Sequence, residues 1–203
     1  MRTSHGYARV VGFSDGVVAI AITLLILPLV DSASDYNGEV GQFVTEHLGK
    51  LLLFFLSFAV IGNFWLVHHR MWEQISSYNT PLLWANLLWL MSIVFLPFPT
   101  ALLAGSPSGD RATYALYVGT MVVTTAASLL EQVIVVRHPE LQAEEVRGTL
   151  RISGFLAPLG IMVVALLIAV IFPHIGLWGL ALFALAGPAG RILDRRRKKK
   201  ASA

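Results

Sequence analysis

Long apolar runs alternate with short polar segments along the chain, and each run is about as long as a bilayer crossing. A hydrocarbon core of roughly 30 Å takes about 20 helical residues. By this measure the sequence predicts six transmembrane helices, at about residues 9–30, 48–69, 80–104, 112–136, 151–172 and 175–193. The predicted fold is therefore an all-α integral membrane protein with a single six-helix domain, residues 1–194, followed by a basic cytoplasmic tail, residues 195–203.

Polar residues interrupt the first apolar run. Arg9, Ser14 and Asp15 lie at its start, and Thr23 lies near its middle. A helix that only had to sit in lipid would need none of them, because ionisable groups at membrane depth are costly and mark functional or helix-packing sites. The first helix is therefore predicted to do more than anchor the chain.

The basic residues predict the orientation. If the N-terminus is cytoplasmic, the inner segments hold thirteen Lys and Arg residues and the outer segments hold two, Lys50 and Arg111. An excess of Lys and Arg in short loops marks the cytoplasmic side. Six crossings also put both termini on that side, which agrees with the basic tail. The first outer loop is acidic, with Asp31, Asp35 and two glutamates.

Composition narrows the function classes. The chain is 56% hydrophobic and 13% charged, and it has no cysteine, so disulfides, thiolate metal sites and cysteine nucleophiles are excluded. The net charge of +3 could suggest nucleic-acid binding, but the basic tail directly follows a predicted span, where topology and lipid headgroups account for it. No phosphate loop, HExxH motif or Ser–His–carboxylate spacing occurs, so we expect no enzyme activity and no nucleic-acid partner.

Helical geometry gives the first span an apolar stripe. At about 100° per residue, Ile20, Leu24 and Leu27 fall within roughly 60° of one another. Thr23 flanks this stripe, and Asp31 continues it at the outer end. Spacing alone favours ordinary helix packing, because many membrane helices offer such a stripe.

The head of the first helix carries a more specific pattern. Arg9, Phe13, Ser14 and Asp15 form R-x-x-x-F-S-D, which is followed by AIAITLLIL. This resembles the signature of prokaryotic members of the transmembrane protein 175 family of potassium channels. The segments IGNFWLVHHRMW, residues 61–72, and NLLWLMSIVFLPFPTALL, residues 86–103, fit the same pattern. The resemblance covers the first three predicted helices at the level of motifs.

The resemblance implies a homotetramer in a bacterial or archaeal (inner) membrane, with the first helix lining a central pore. It implies no re-entrant filter loop, and no TVGYG sequence occurs here. By position, Ile20 would form the constriction, Leu24 and Leu27 the outer rings, and Thr23 the selectivity position. The expected activity is a cation leak that favours potassium weakly over sodium, with no cofactor and with K⁺ as the permeant ion.

Physical chemistry is consistent with such a pore. A narrow apolar ring acts as a hydrophobic gate that excludes water, so an ion must be partly dehydrated to pass. Potassium sheds water more readily than sodium, and four Thr23 hydroxyls or backbone carbonyls could replace part of the lost hydration. Asp31 near the outer mouth is expected to concentrate cations there.

The R-x-x-x-F-S-D cluster is expected to be a scaffold that clamps the first helix to the second and third. Buried polar groups need partners. The candidates on the neighbouring helices are Trp65, His68, His69, Asn86 and Trp89. Periodicity puts Arg9 near the pore stripe, where it would repel cations unless a carboxylate neutralises it or the helix is irregular.

Other polar residues leave alternatives open. His68 and His69 with His5 suggest a metal site, but adjacent histidines on a helix point about 100° apart, so we expect no metal. Glu131 could pair with Arg137 or belong to a proton or ion path. An alternative to a channel is a secondary or proton-coupled cation transporter, which the lack of an internal repeat disfavours. A membrane scaffold that transports nothing is a third.

Overall fold

The computed structural model describes residues 4–105, 110–150, 159–164, 166–167 and 171. Within these ranges the chain is helical and holds no β-strand, which confirms the all-α prediction for them. The helices are α1 (Ser4–Leu24), α2 (Leu27–Ser34), α3 (Val40–Glu46), α4 (Leu48–Trp72), α5 (Thr80–Phe95), α6 (Pro97–Gly105) and α7 (Arg111–Arg137), followed by short 3₁₀ turns at Pro139–Leu141 and Glu144–Val146. The predicted helix 175–193, the tail 195–203 and most of the predicted helix 151–172 lie outside the described residues.

Four helical stretches of the described chain are long and apolar enough to cross a membrane. They are Gly6–Ser34, Leu48–Trp72, Thr80–Gly105 and Arg111–Arg137. Each overlaps one of the first four predicted helices. The short helix α3, in the loop between the first two stretches, has no counterpart in the prediction.

The first stretch differs from the single helix predicted at 9–30. Its hydrogen bonding tightens at Leu25 and Ile26, whose backbone N–H groups donate to the carbonyls of Ile22 and Thr23 at 3.3 and 3.4 Å. The cause is Pro28, which has no N–H to donate to the carbonyl four residues earlier. The chain resumes as α2, so an ideal helical stripe calculated from Ile20 does not extend past Leu24.

A similar interruption divides the predicted helix 80–104. The helix α5 ends at Phe95 and α6 begins at Pro97. Pro97 and Pro99 lie in the first turn of α6, where a missing N–H removes few intrahelical bonds. The bend therefore lies at the prolines.

Buried side chains from all four long stretches meet in one core. Its fully buried members include Ala21 from α1, Ile61 from α4, Trp89 and Ile93 from α5, and Tyr117, Val118 and Met121 from α7. A second cluster closes the end of the bundle near Trp72, Leu82 and Val135. The core thus packs one side of α1 against α4, α5 and α6.

The start of α7 is capped by Asp110, which lies just outside the apolar stretch. Its carboxylate accepts hydrogen bonds from the backbone N–H groups of Ala112 and Thr113 at 3.3 and 3.2 Å, and from the Thr113 hydroxyl. The Thr113 hydroxyl bond, supported by the two backbone bonds, holds the pKa of Asp110 below its usual value. Asp110 is therefore a charged N-cap.

Candidate functional site

The helix α1 has one covered face and one open face. Ser14, Val18, Ala21 and Leu25 are buried and recur every three or four residues, so they form a single stripe against the core. On the opposite side, Ile20 is 61% exposed, although its neighbour Ala21 is fully buried. The sharp change between adjacent residues shows that the open face contacts nothing else in the described part of this subunit.

The predicted pore residues lie on or beside this open face. Besides Ile20, both Leu24 and Leu27 are exposed. Thr23 is exposed too, and its hydroxyl donates to the backbone carbonyl of Ile20 at 2.8 Å. That bond uses the hydroxyl proton, so the Thr23 oxygen keeps lone pairs that can accept from water or coordinate a cation.

Asp31 is exposed on α2. Its neighbour Ser32 accepts a hydrogen bond from the Lys50 ammonium at 2.8 Å. Lys50 is one of the two basic residues of the outer segments in the predicted topology. The structure thus brings a positive charge to within one residue of the acid expected to attract cations, an arrangement that the sequence did not indicate.

Ser14 begins a hydrogen-bonded chain through the interior. Asn86 on α5 donates its amide N–H to Ser14 Oγ at 3.0 Å, and His68 Nε2 on α4 lies 2.9 Å from Asn86 Oδ1. Ser14 in turn donates to the backbone carbonyl of Val10 at 3.0 Å. The His68 ring stacks on Trp89, with centroids 3.8 Å apart and planes 12° apart. Asn86 on α5 therefore holds the Ser14 hydroxyl of α1 directly, and His68 on α4 holds Asn86 in turn.

Asp15 makes a separate link. Its Oδ1 accepts the indole N–H of Trp65, on α4, at 2.7 Å. His69, also considered as a partner, instead stacks on Trp65 and lies 3.5 Å from Glu73 on its own helix. Of the five candidate partners, His69 is thus the one that the structure keeps away from the Ser14 chain and from the Asp15 carboxylate.

Arg9 and Phe13, the other two motif residues, point away from this interior. Arg9 is exposed and makes no ion pair with any described residue. Both residues line a cavity of about 410 Å³ between α1 and α5, which Tyr78 and Leu87 also border. The motif therefore divides into an interior half, Ser14 and Asp15, and an open half.

Glu131 on α7 is the interior residue whose contacts the sequence did not reveal. It is fully buried, and its Oε1 lies 3.5 Å from His68 Nε2. This contact replaces the expected pairing with Arg137, which forms no ion pair among the described residues. The only signal in the sequence was a carboxylate inside an apolar run.

A further polar cluster lies in the core, away from the Ser14 chain. The Ser57 hydroxyl on α4 is 3.1 Å from Tyr117 Oη on α7 and accepts from the Thr100 hydroxyl on α6 at 3.1 Å. All three groups are buried, so these bonds link three helices in a medium that offers no water. Among the described residues, no three His, Asp or Glu side chains lie together as a metal site requires.

Comparison with known proteins gives this geometry a context. Residues 9–97 match the family model described as endosomal/lysosomal potassium channel TMEM175. A protein named as a potassium channel in Streptomyces collinus is 36% identical over 126 residues, which are 62% of this chain and 61% of that protein. A crystal structure titled as a lysosomal potassium-selective channel TMEM175 homolog from Chamaesiphon minutus superposes with a TM-score of 0.74 at 25% identity, covering 91% of this chain and 97% of that one.

These matches confirm the resemblance to the TMEM175 family. A chicken protein named as an endosomal/lysosomal proton channel, TMEM175, is 27% identical over 72% of this chain. The aligned region spans 61% of the Streptomyces relative and 28% of the chicken one. The named relatives are ion channels, not enzymes, and with four membrane-length helical stretches the chain is a multi-pass membrane protein.

Proposed function

We propose that this chain is one subunit of a cation channel in which four copies surround a central pore and potassium is favoured weakly over sodium. The observation that carries the proposal is the open face of α1. Ile20 projects from the part of the subunit that the structure describes, whereas Ser14, Val18 and Ala21 on the other side are buried and Ser14 is hydrogen-bonded. A helix whose covered face is fixed by packing, and whose open face carries bulky apolar side chains, is suited to form the wall of a constriction.

In this assembly the Ile20 side chains of four subunits form the narrowest ring, and Leu24 and Leu27 form rings nearer the outer mouth. Apolar constrictions control ion passage by excluding water. Thr23 lies one turn from Ile20, with its oxygen lone pairs free of intrahelical use. The names of the bacterial relatives support potassium as the permeant ion, and the animal relatives' names add protons as a second one to measure.

The proposed location is a bacterial or archaeal cell membrane, with both termini in the cytoplasm. The distribution of Lys and Arg supports this orientation, with thirteen on the inner side and two on the outer side. Ion flow would then pass from the acidic outer loop along α2 and α1 to the cytoplasmic end of the pore.

A liposome flux assay tests the proposal. Vesicles loaded with potassium salt are diluted into sodium or choline medium with a protonophore, and a pH dye reports proton uptake driven by potassium efflux. The wild type should show flux, and Ile20→Asn should raise it and reduce the preference for potassium, because a polar ring retains water. Omitting the protonophore measures proton permeation by the protein itself.

Leu52→Asn on α4 is the matched control, because Leu52 and Ile20 are each 61% exposed. It should leave flux unchanged if α1, not α4, lines the pore. Unitary currents in a planar bilayer separate a channel from the alternative transporter, which would instead saturate and show counterflow. Wild-type vesicles without flux would overturn the proposal, and equal effects of the two substitutions would remove Ile20 from the constriction.

A further inference from the structure

We propose that Glu131 on α7 is a positioning residue for the pore helix, acting through His68 and Asn86 on Ser14. The inference rests on the proposed function insofar as α1 lines a pore. The contacts join all four membrane-length stretches of the described chain, since Glu131 lies on α7, His68 on α4, Asn86 on α5 and Ser14 on α1.

The donors in this chain all point towards α1. Ser14 donates to a backbone carbonyl and so accepts from the Asn86 amide. The Asn86 oxygen is then left to accept, so His68 Nε2 must carry the proton that faces it. Hydrogen bonds aligned in this way polarise one another inside a protein, and a change at one end is transmitted to the other.

Glu131 lies at the end where that proton is shared. Its Oε1 is 3.5 Å from the nitrogen that lies 2.9 Å from Asn86 Oδ1, so one N–H faces two acceptors. Neither carboxyl oxygen of Glu131 has a hydrogen-bond partner among the described residues. The Trp72 indole is a second polar neighbour, and the protonation of a fully buried carboxyl group is tied to such neighbours.

The titratable surroundings of the pair are simple. Trp72 from α4 and Trp89 from α5 border it, and both are neutral. Glu140, in the turn that follows α7, is exposed and bonded to His138. Within the part of the chain that the structure describes, His68 and Glu131 are therefore the two ionisable side chains that face each other at this position.

Two proton arrangements follow. With Glu131 as a carboxylate, Nε2–H donates and the link through Asn86 to Ser14 is made. With Glu131 protonated, its own O–H needs an acceptor, and His68 Nε2 lies 3.5 Å from Oε1, whereas the Trp72 indole can only donate. An Nε2 that accepts from Glu131 cannot donate to Asn86, so Asn86 loses this support and alone holds Ser14. The proton on Glu131 thus decides how tightly Ser14 is held.

A matched pair one residue away provides the control. His69 Nε2 and Glu73 Oε1 are also 3.5 Å apart, but they lie four positions apart in the sequence, their side chains are 37% and 64% exposed, and neither forms a bond in the hydrogen-bonded chain from Glu131 to Ser14. Glu73→Gln therefore removes the same chemical group, a carboxyl group near a histidine, without changing any residue of the hydrogen-bonded chain from Glu131 to Ser14. Glu131→Gln keeps the size and one acceptor oxygen at this position, removes the titration and the charge, and adds an N–H donor.

The experiment combines hydrogen exchange with flux, using the full chain in liposomes. Glu131→Gln should make potassium flux nearly independent of pH between about pH 5 and 8, the range in which His couples to such switches, whereas the wild type and Glu73→Gln keep their pH dependence. Amide exchange in residues 10–18, corrected for the intrinsic exchange rate at each pH, should lose its pH response in the same variant, and the potassium-to-sodium ratio should not change. His68→Gln keeps an N–H donor towards Asn86 and should behave like Glu131→Gln, which provides the test if the first variant does not assemble.

The exchange measurement needs no ion conduction, so it separates this inference from the proposed function. Suppose that the protein shows no ion flux, that α1 exchange still responds to pH, and that Glu131→Gln abolishes this response. Such a result would overturn the channel and keep the positioning role. Glu131→Gln and His68→Gln profiles that match those of the wild type and of Glu73→Gln would overturn the positioning role. Exchange that rises equally in all four stretches would also overturn it, because that result indicates only a general loss of stability.

Discussion

Trp65 on α4 donates its indole N–H to the Asp15 carboxylate at 2.7 Å, and this bond leaves α1 in a different direction from the bond that Ser14 accepts. Adjacent residues of a helix point about 100° apart. Asp15 is therefore held by α4 while Ser14 is held by α5, and the two bonds together fix the rotation of α1 about its own axis. That rotation is what places Ile20 on the open face.

Removing the Trp65 donor should loosen α1. Trp65→Phe keeps an aromatic ring but deprives the half-buried Asp15 carboxylate of its partner, and a hydrogen bond to a charged group is worth about 1.5–3 kcal/mol. The thermal midpoint of the protein in detergent should fall accordingly. Trp84→Phe is the control, because Trp84 on α5 is exposed and should tolerate the change. Equal midpoints for the two variants would contradict the clamp.

Neutralising Asp31 and neutralising Lys50, near the outer mouth, should change the single-channel conductance in opposite directions. Asp31→Asn should lower single-channel conductance roughly two- to fivefold at low salt and little at high salt, because screening removes the attraction for cations. Lys50→Gln should raise it under the same conditions, since its ammonium lies beside Ser32. Conductance at 10–500 mM potassium chloride measures both. An unchanged low-salt conductance in Asp31→Asn would exclude Asp31 from the ion path.

The buried hydroxyl cluster should contribute to stability rather than to conduction. Tyr117→Phe removes the Tyr117 hydroxyl that lies 3.1 Å from Ser57, at an expected cost of about 1 kcal/mol. Adding Ser57→Ala should cost less than the sum of the single changes, because the two substitutions remove the same bond. Thermal denaturation in detergent measures the coupling. Strictly additive effects would show that the Ser57–Tyr117 contact contributes nothing to stability.

The start of α7 should fray at low pH. The Thr113 hydroxyl lowers the pKa of Asp110, so the folded state stabilises the carboxylate. That contribution is complete above the unfolded value of about 3.9 and is lost as the pH falls through the lower folded value. Amide exchange of residues 111–115, followed from pH 6 to pH 2 and corrected for the intrinsic exchange rate at each pH, should rise at the acid end.

Asp110→Asn is the informative comparison for this cap. Asparagine keeps an oxygen that can accept from the first-turn N–H groups, but it cannot titrate. The variant should therefore lose the acid-dependent rise in exchange while keeping much of the cap. If the rise persisted unchanged in Asp110→Asn, another group would have to be its cause.

Much of this architecture was predictable from the sequence, because a segment that crosses a membrane must be a long apolar helix with few polar residues. Apolar length located the four spans, and the scarcity of polar residues inside them reduced the candidate partners of Ser14 and Asp15 to a short list that contained Trp65 and Asn86. The break after Leu24 had a local signal in Pro28, which a single-helix reading did not use. The pore roles of Ile20 and Thr23 concern neighbouring subunits and stay predictions.

Two contacts had no local signal at all. His68 and Glu131 are 63 positions apart in the sequence, on helices whose neighbours are decided by packing and not by periodicity. Lys50 reaches Ser32 only because the chain between α2 and α4 folds back. Pattern analysis gives the face of a helix, but it does not tell which helix covers that face.

The chain from Glu131 to Ser14 also constrains how the protein enters a bilayer. A carboxyl, an imidazole or an amide inside a lone apolar helix is costly in hydrocarbon. Here each of these groups belongs to a different span, and the partners lie between 18 and 72 positions apart. No single span satisfies its own polar group, so these helices cannot each settle independently in lipid before they associate. Insertion of α7 and packing of the first three spans are therefore coupled. In a newly made polypeptide that lacks α7, His68 has no Glu131 carboxyl group beside it.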